Sequence, residues 1–512
     1  MLGMCVPPFL MAQNMPYVYD VENSGADVPA PDMPPLSRLP VIRSLPDPFQ
    51  WADTLRGRMK HFSDWRLRRA EIGAQIQHYE IGVKPPRPDS ITASFSRADS
   101  VLRVNVILNG DTLRLSSRVY LPAGTGPFPA VIGMNTPNGS LTSTIFTTRN
   151  IARITYSHNQ VTTYGNPRNT DPYYRLYPGL NVDTTGQYSA WAWGVSRIID
   201  GLELVQDSLP IDLKHIAVTG CSYAGKMALF AGAFDERIAL TIAQESGGGG
   251  ATSWRYSHAW GGNSVEEIDN TDYNWFMNSM KQFSGENVYR MPEDHHELMA
   301  MVAPRALYVT ANPDYLWLSN VSCHVASMAA SKVYEALGIP DRFGFSVIGG
   351  HTHCALPNSQ VPDVEAFVDR FLLGDMTKYT FIETTPYDTV NLAPWITWSV
   401  PVLTDSTATS IKDNSGNVIA GFNLDQNYPN PFNPSTTISY DLAKSAFVRL
   451  VIYDALGRAV NTLVGRMQPA NRYTVNWTPR AVSSGVYFCR IEAYAQDGSG
   501  HFGSVKKLLY MK

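Results

Sequence analysis

The sequence predicts an α/β protein with a mostly parallel, doubly wound sheet, followed by a small all-β sandwich. Five short apolar runs, at 128–134, 216–219, 238–242, 306–310 and 343–348, have the length and composition of buried strands. Helical patterns lie between several of them, at 224–234, 325–337 and 364–373. Strands that alternate with helices are typical of a parallel sheet with helices on both faces, a three-layer sandwich.

The residues before these strands extend the predicted domain. A helical pattern covers 51–79, and alternating apolar residues at 91–121 with an Asn109-Gly110 turn predict an antiparallel meander. The α/β domain is therefore predicted at 51–377. We interpret the apolar residues 1–12 as the remnant of a signal peptide and residues 13–50 as a proline-rich, extended segment.

The chain changes character near residue 378. We interpret residues 378–421 as a linker and residues 422–512 as a second domain. Its short alternating runs, at 437–442, 448–453, 472–477 and 485–492, predict a small β-sandwich.

Composition restricts the classes of function. The formal net charge is −4 and no basic run is present, so we predict no nucleic-acid partner. No apolar segment is long enough to span a membrane. Five cysteines are compatible with one or two disulfides in an exported protein.

The most informative motif is VTGCSYAGK at 218–226. A buried strand ends at Gly220 and a helix begins near Ala224, so Ser222 lies at a strand-to-helix turn. A sharp turn of this kind exposes the nucleophilic serine of α/β-hydrolases. The spacing here is G-x-S-x-x-G rather than the commoner G-x-S-x-G, so an ordinary strand–turn–helix junction is the alternative.

A nucleophilic serine needs a base, an acid that orients the base, and donors for the oxyanion. In α/β-hydrolases the chain order is serine, acid, histidine. Two acids compete here, Glu245 and Asp314, and two histidines compete, His351 and His353. All four follow predicted strands, at the edge of the sheet where ligands bind in doubly wound folds.

The competition is only partly resolved by position. Asp314 follows the strand before the histidines, the usual position of the acid, whereas Glu245 follows the strand after the serine; the two acids could also share the role. A bond between Cys221 and Cys354 would hold His353 beside the serine, which favours His353 as the base.

Metal binding is a weaker interpretation of the same histidines. The sequences HTHC at 351–354 and DHH at 294–296 contain possible ligands, but no set stands at a usual zinc spacing. We therefore predict a site without a metal or another cofactor.

Taken together, these motifs resemble the glucuronoyl esterases, carbohydrate esterase family 15. The resemblance covers roughly residues 40–375 and includes the serine motif. The other stretches that carry it are AWAWGVSRIID at 190–200, QESG at 244–247, SWR at 253–255, DHH at 294–296, APR at 303–305 and GHTHC at 350–354.

The resemblance implies a metal-independent α/β-hydrolase that cleaves the ester between glucuronic acid on xylan and alcohols of lignin. It implies Ser222 as nucleophile, His353 as base and Glu245 as acid. Asp314 matches an alternative acid that is found in bacterial members.

The same resemblance implies further roles. Cys221 and Cys354 are expected to form a disulfide. Lys226 is expected to hydrogen-bond sugar hydroxyls, Trp317 to line the uronate pocket and Glu266 to contact the sugar.

One position departs from the family pattern. The residue after the nucleophile is usually an arginine that helps to hold the oxyanion, and here it is Tyr223. Its backbone N–H remains available, and its hydroxyl could replace the guanidinium in part. Loss of one oxyanion donor typically costs about 3–4 kcal/mol. Two alternatives therefore stay open: an esterase for acetyl or pectin-type esters, and a glycan-binding relative without activity.

Residues 422–512 resemble a type A sorting domain of the type IX secretion system, whose opening motif is matched by NYPNPFNP at 427–434. This implies export through the periplasm of a Bacteroidetes-like bacterium, then release or attachment at the cell surface. We expect a monomer whose partners are the secretion machinery and glucuronoxylan or lignin–carbohydrate esters. A carbohydrate-binding β-module is the alternative for this domain.

Overall fold

The computed structural model describes most of the chain. The described residues are 15–165, 170–261, 264–404, 411–412, 418–419, 421–444, 446–479, 482–495 and 501–511. The predicted signal-peptide remnant at 1–12 lies outside them. Within these ranges, no helix combines the length and the apolar character needed to cross a membrane.

A ten-stranded mixed sheet forms the centre of the larger domain. Its strands are β1 (Ser90–Ser96), β2 (Val101–Leu108), β3 (Asp111–Tyr120), β4 (Phe128–Met134), β5 (Ala152–Tyr156), β6 (Ile211–Cys221), β7 (Leu240–Gln244), β8 (Ala306–Ala311), β9 (Phe343–Val347) and β10 (Glu383–Thr384). Their order is β1-β2-β3-β5-β4-β6-β7-β8-β9-β10. The pairs from β1 to β5 are antiparallel, and those from β5 to β10 are parallel.

Helices cover both faces of this sheet. They are α1 (Asp64–Ile76), α2 (Thr144–Thr147), α3 (Pro172–Leu176), α4 (Gln187–Leu204), α5 (Tyr223–Phe234), α6 (Trp254–Gly261), α7 (His295–Ala300), α8 (Asn320–Ala336) and α9 (Val361–Leu373). Successive side chains of a strand point to opposite faces. Accordingly, Ala130 and Ile132 of β4 pack in the core that includes α4, α5 and α8, whereas Val131 packs with α2 and α9. The predicted three-layer α/β sandwich is confirmed.

Most predicted elements are present, with shifted ends. The meander is confirmed, and both residues of its turn have positive φ, 52° at Asn109 and 88° at Gly110. The helix predicted at 51–79 is too long, because Gly57 adopts a φ of 72° and the chain becomes helical only at Asp64. Strand β5 and helix α4 are absent from the prediction, since β5 is short and α4 is buried on nearly all sides.

The first part of the predicted linker belongs to the larger domain. The segment supplies β10 at the sheet edge, and its Trp395 and Trp398 pack in an apolar cluster with Leu45. The indole N–H of Trp398 donates to the backbone oxygen of Leu45 at 3.2 Å. The segment up to residue 404 therefore packs on the α/β domain beyond the predicted boundary at 377.

The C-terminal region is an all-β unit, as predicted. Its strands are β11 (Ile411–Lys412), β12 (Val418–Ile419), β13 (Asn423–Leu424), β14 (Thr436–Leu442), β15 (Ala446–Asp454), β16 (Ala459–Gln468), β17 (Asn471–Trp477), β18 (Gly485–Ala495) and β19 (His501–Tyr510). Strands β11 and β12 pair with each other, and the two larger sheets have the orders β13-β14-β17 and β16-β15-β18-β19. Side chains of both sheets, such as Ile438 and Leu450, share one apolar core, which makes the unit a sandwich.

Candidate active site

Ser222 lies at the turn between β6, which ends at Cys221, and α5, which begins at Tyr223. Its φ of 59° and ψ of −129° fall in a region that residues other than glycine seldom adopt. The backbone N–H of Ser222 donates to the backbone oxygen of Gln244 at the end of β7, at 3.0 Å. The serine therefore occupies a strained elbow that is tied to the neighbouring strand.

The two glycines of the motif explain its unusual spacing. A Cβ on Gly220 would lie 2.3 Å from the backbone oxygen of Ala224, and a Cβ on Gly225 would lie 2.4 Å from that of Gln244. Both distances are far shorter than van der Waals contact, so only glycine fits at either position. The first glycine allows the tight turn, and the second allows α5 to approach β7.

His353 and Glu245 form a hydrogen-bonded pair. Nδ1 of His353 lies 2.7 Å from Oε2 of Glu245, and the same oxygen accepts the backbone N–H of Cys354 at 3.1 Å. The Glu245 side chain is 1% exposed and that of His353 is 24% exposed, so the acid is shielded from solvent while the imidazole is partly open to it. A carboxylate on Nδ1 keeps the proton there and leaves Nε2 as the free base.

The two competing residues, Asp314 and His351, hydrogen-bond to the loop that follows β9. Oδ2 of Asp314 accepts the backbone N–H of Gly350 at 2.6 Å. Nε2 of His351 lies 2.9 Å from the backbone oxygen of Ile348. Its Nδ1 lies 3.7 Å from Oε1 of Glu245, a buried atom without a hydrogen-bond partner among the described residues. Of the two predicted acids, Glu245 is the one that contacts His353.

Cys221 and Cys354 form a disulfide that links residues 133 positions apart, as predicted. Cys221 precedes Ser222 and Cys354 follows His353, so the bond ties together the two segments that carry these residues. A ring nitrogen of His353 and both sulfur atoms lie within 4.8 Å of one another. Because the sulfurs are bonded, they offer no thiolate to a metal. Closing a loop of this length corresponds to about 4–5 kcal/mol of chain entropy.

The three residues with predicted sugar contacts are Lys226, Glu266 and Trp317. Nζ of Lys226 lies 2.8 Å from Oε2 of Glu266 and 4.3 Å from the ring centroid of Trp275. Trp317 is 49% exposed, and its ring stands edge-on to that of His353 with 5.8 Å between centroids. An exposed indole and a hydrogen-bonded ion pair are groups of the kind that bind sugars. The sequence motifs do not single out Trp275.

Tyr223 contacts two residues that the motifs also miss. Its hydroxyl accepts from Nδ2 of Asn135 at 2.7 Å and lies 3.3 Å from Nε2 of His158. The three residues follow β4, β5 and β6, which are neighbours in the sheet. Asn135 directly follows a predicted strand and could have been noticed for that reason, whereas His158 follows the strand that was not predicted.

We expect His158 to make the protein less stable in acid. Burial lowers the pKa of His158 from 6.5 to about 4. The unfolded chain then binds more protons between these pH values, so stability is lost as the pH falls from 6.5 to 4. The maximum loss is about 3 kcal/mol. Urea unfolding at several pH values should show a flatter dependence for His158→Gln.

The exposed His61 supplies the matched control. His61→Gln should leave the acid-dependent loss of stability as it is in the unchanged protein. If His158→Gln were to lose stability as steeply as the unchanged protein, a source other than His158 would be responsible.

Two family models match the chain. The model described as "Glucuronyl esterase, fungi" matches residues 104–338, and the one described as "Secretion system C-terminal sorting domain" matches residues 426–501. The 4-O-methyl-glucuronoyl methylesterase of Cerrena unicolor is 41% identical over 375 residues, which are 70% of this chain and 77% of that protein. The 4-O-methyl-glucuronoyl methylesterase 1 of Phanerochaete chrysosporium is 42% identical, with the same coverage of both chains.

Solved structures agree with these matches. The glucuronoyl esterase catalytic domain of Hypocrea jecorina is 36% identical with a TM-score of 0.66, over 74% of this chain and 100% of that chain. A mutant esterase of Sporotrichum thermophile, in complex with methyl 4-O-methyl-β-D-glucopyranuronate, is 35% identical with a TM-score of 0.67 and the same coverage. The chain therefore belongs to the glucuronoyl esterases of carbohydrate esterase family 15, which are carboxylic ester hydrolases, and it carries a C-terminal secretion-system sorting domain.

Proposed function

We propose that the protein is an exported serine esterase that hydrolyses esters of (4-O-methyl-)glucuronic acid between xylan and lignin alcohols. The observation that carries this proposal is the pairing of His353 with Glu245, which a disulfide ties to the elbow of Ser222. The names of the relatives and the uronate ester in the Sporotrichum thermophile complex support the substrate class.

The proposed reaction proceeds through an acyl-enzyme. Oγ of Ser222 attacks the ester carbonyl carbon while Nε2 of His353 takes the hydroxyl proton. The backbone N–H of Tyr223 donates to the oxyanion, and Glu245 stabilises the imidazolium. The bond to the alcohol then breaks, and His353 returns the proton to the leaving oxygen. Water repeats these steps on the acyl-enzyme and releases glucuronate.

The remaining predicted residues complete the site in this proposal. Lys226 and Glu266 offer donors and acceptors to sugar hydroxyls, and Trp317 lines the uronate pocket. The sorting domain supports export, which we assign to a type IX secretion system of a bacterium that releases the protein or holds it at the cell surface. The esterase is proposed to act as a monomer without a cofactor.

A second candidate is an esterase of the same mechanism with another ester as substrate. It is favoured by Tyr223, which replaces a cationic side chain with a neutral phenol. Asn135 donates a hydrogen bond to the Tyr223 hydroxyl and fixes its position. An ester of different shape could be bound through this hydroxyl.

One assay separates these candidates. The full-length protein and its Ser222→Ala variant are compared on benzyl glucuronate and on p-nitrophenyl acetate. We expect turnover that favours the glucuronate ester and falls to background in the variant. Turnover of the acetate alone would retain the serine hydrolase and replace the substrate class. No turnover of either ester would favour the glycan-binding alternative.

A further inference from the structure

Lys226 lies in α5, one helical turn after Ser222. The positive charge of its ammonium group is compensated by the carboxylate of Glu266. The Lys226 side chain is 3% exposed, and its Nζ lies 2.8 Å from Oε2 of Glu266. The face of Trp275 covers the ammonium at 4.3 Å. A carboxylate at this distance cancels most of the field of the ammonium, so the pair offers little attraction to an anion.

Glu266 is held in this position from several sides. Its Oε1 accepts the hydroxyl of Thr271 at 2.8 Å, and its backbone N–H donates to the backbone oxygen of Trp317 at 3.0 Å. The chain at Gly248 packs so closely that a Cβ there would lie 2.5 Å from Cβ of Glu266. Both carboxylate oxygens are thus engaged with the protein, and the acid stays on the lysine.

Among the residues that the structure describes, the contacts around Trp275 lead to another acid. Oδ2 of Asp272 accepts the hydroxyl of Tyr164 at 2.5 Å, and the ring of Tyr164 lies 6.1 Å from that of Trp275. Asp272 is therefore a second acid, in contact with the aromatic residues around Trp275. Tyr223, directly after the nucleophile, is neutral where the family pattern places an arginine.

Ester hydrolysis changes the charge of the bound sugar. The ester is neutral at the reacting carbon, whereas the product carries a carboxylate there. On the basis of the proposed function, we propose that Glu266 is a specificity-determining residue: by neutralising Lys226 it makes the site discriminate against uronate anions. The product then leaves readily, and unesterified uronate groups on the polysaccharide compete weakly with the ester. An uncompensated Lys226 would favour the anion instead.

Glu266→Gln tests this inference because it keeps the shape of the side chain and removes its charge. The inhibition constant of sodium glucuronate and the KM of benzyl glucuronate are measured on the full-length protein. We expect the ratio of inhibition constant to KM to fall at least about fivefold at low salt, and this change to shrink in about 0.3 M NaCl. An equal change of both constants would overturn the proposal, since it would show that Glu266 affects the ester and the anion alike.

Two further variants make the result specific. Glu286→Gln removes a carboxylate that is 70% exposed and produces the same change in net charge, so the ratio should stay constant. Lys226→Gln leaves Glu266 uncompensated and should raise the ratio. A lower ratio of inhibition constant to KM in Glu286→Gln, or an unchanged ratio in Lys226→Gln, would contradict a local charge effect.

Binding without turnover separates this inference from the proposed function. Calorimetry on Ser222→Ala, with and without Glu266→Gln, gives the affinity for sodium glucuronate directly. Absence of glucuronate-ester hydrolysis by the unchanged protein would refute the proposed function alone. An affinity for the anion that does not rise with Glu266→Gln would refute the role of Glu266, even in an active esterase.

Discussion

Replacing Glu245 with glutamine is expected to lower kcat/KM for a glucuronate ester by about 10³- to 10⁴-fold. The Glu245 carboxylate accepts from Nδ1 of His353 at 2.7 Å, and an amide there can present its own N–H to the ring. The imidazole then adopts the wrong tautomer, and its positive charge in the transition state loses its counter-ion. Initial rates on benzyl glucuronate, with circular dichroism to verify folding, measure this loss.

Asp314→Asn is the matched comparison, because it makes the same chemical change in the competing acid. The Asp314 carboxylate accepts the backbone N–H of Gly350 at 2.6 Å, so its loss should loosen the histidine loop without removing the partner of the base. We expect a decrease of less than about tenfold. A larger loss in Asp314→Asn than in Glu245→Gln would reverse the assignment of the acid.

A protein that ends at residue 377 is expected to be less stable than one that ends at residue 404, by at least about 4 kcal/mol. The shorter protein lacks β10 and loses the side chains of Trp395, Ile396 and Trp398 from the apolar cluster around Leu45. For a domain of this size, the loss corresponds to a decrease in Tm of about 5 °C.

Thermal unfolding and esterase activity of the two shortened proteins measure the effect. The protein that ends at residue 404 is expected to keep the esterase activity of the full chain. Equal melting temperatures for both shortened proteins would show that the segment contributes no stability, and would favour the domain boundary predicted from the sequence.

The position of the site could be predicted from the sequence because it depends on where buried strands end. Apolar runs that stop at a polar residue placed Ser222, Glu245, Asp314 and His353 at one edge of the sheet. The choice between the acids depends on the direction of each side chain after its strand. The backbone at Glu245 has a φ of 43°, in the left-handed region. The pattern of apolar residues does not predict this conformation.

Other features of the structure could not be predicted, because the residues that make their contacts do not recur at a regular spacing in the sequence. The apolar residues of 378–404 stand among prolines and threonines at irregular spacing, so the segment resembles a loop although it packs on the domain. Asn135 and His158 meet Tyr223 only because β4, β5 and β6 lie side by side. Predicting these contacts requires the order of the strands in the sheet, which the sequence pattern does not contain.

The bond between Cys221 and Cys354 links the chemistry of the site to the compartment in which the chain resides. Disulfides of this kind persist in oxidising surroundings and are rare in a reducing cytosol. In a reduced chain, the loop that carries His353 would be joined to the elbow of Ser222 by non-covalent contacts alone. If Ser222 and His353 act as proposed, the disulfide fixes them together only after the exported chain reaches an oxidising compartment.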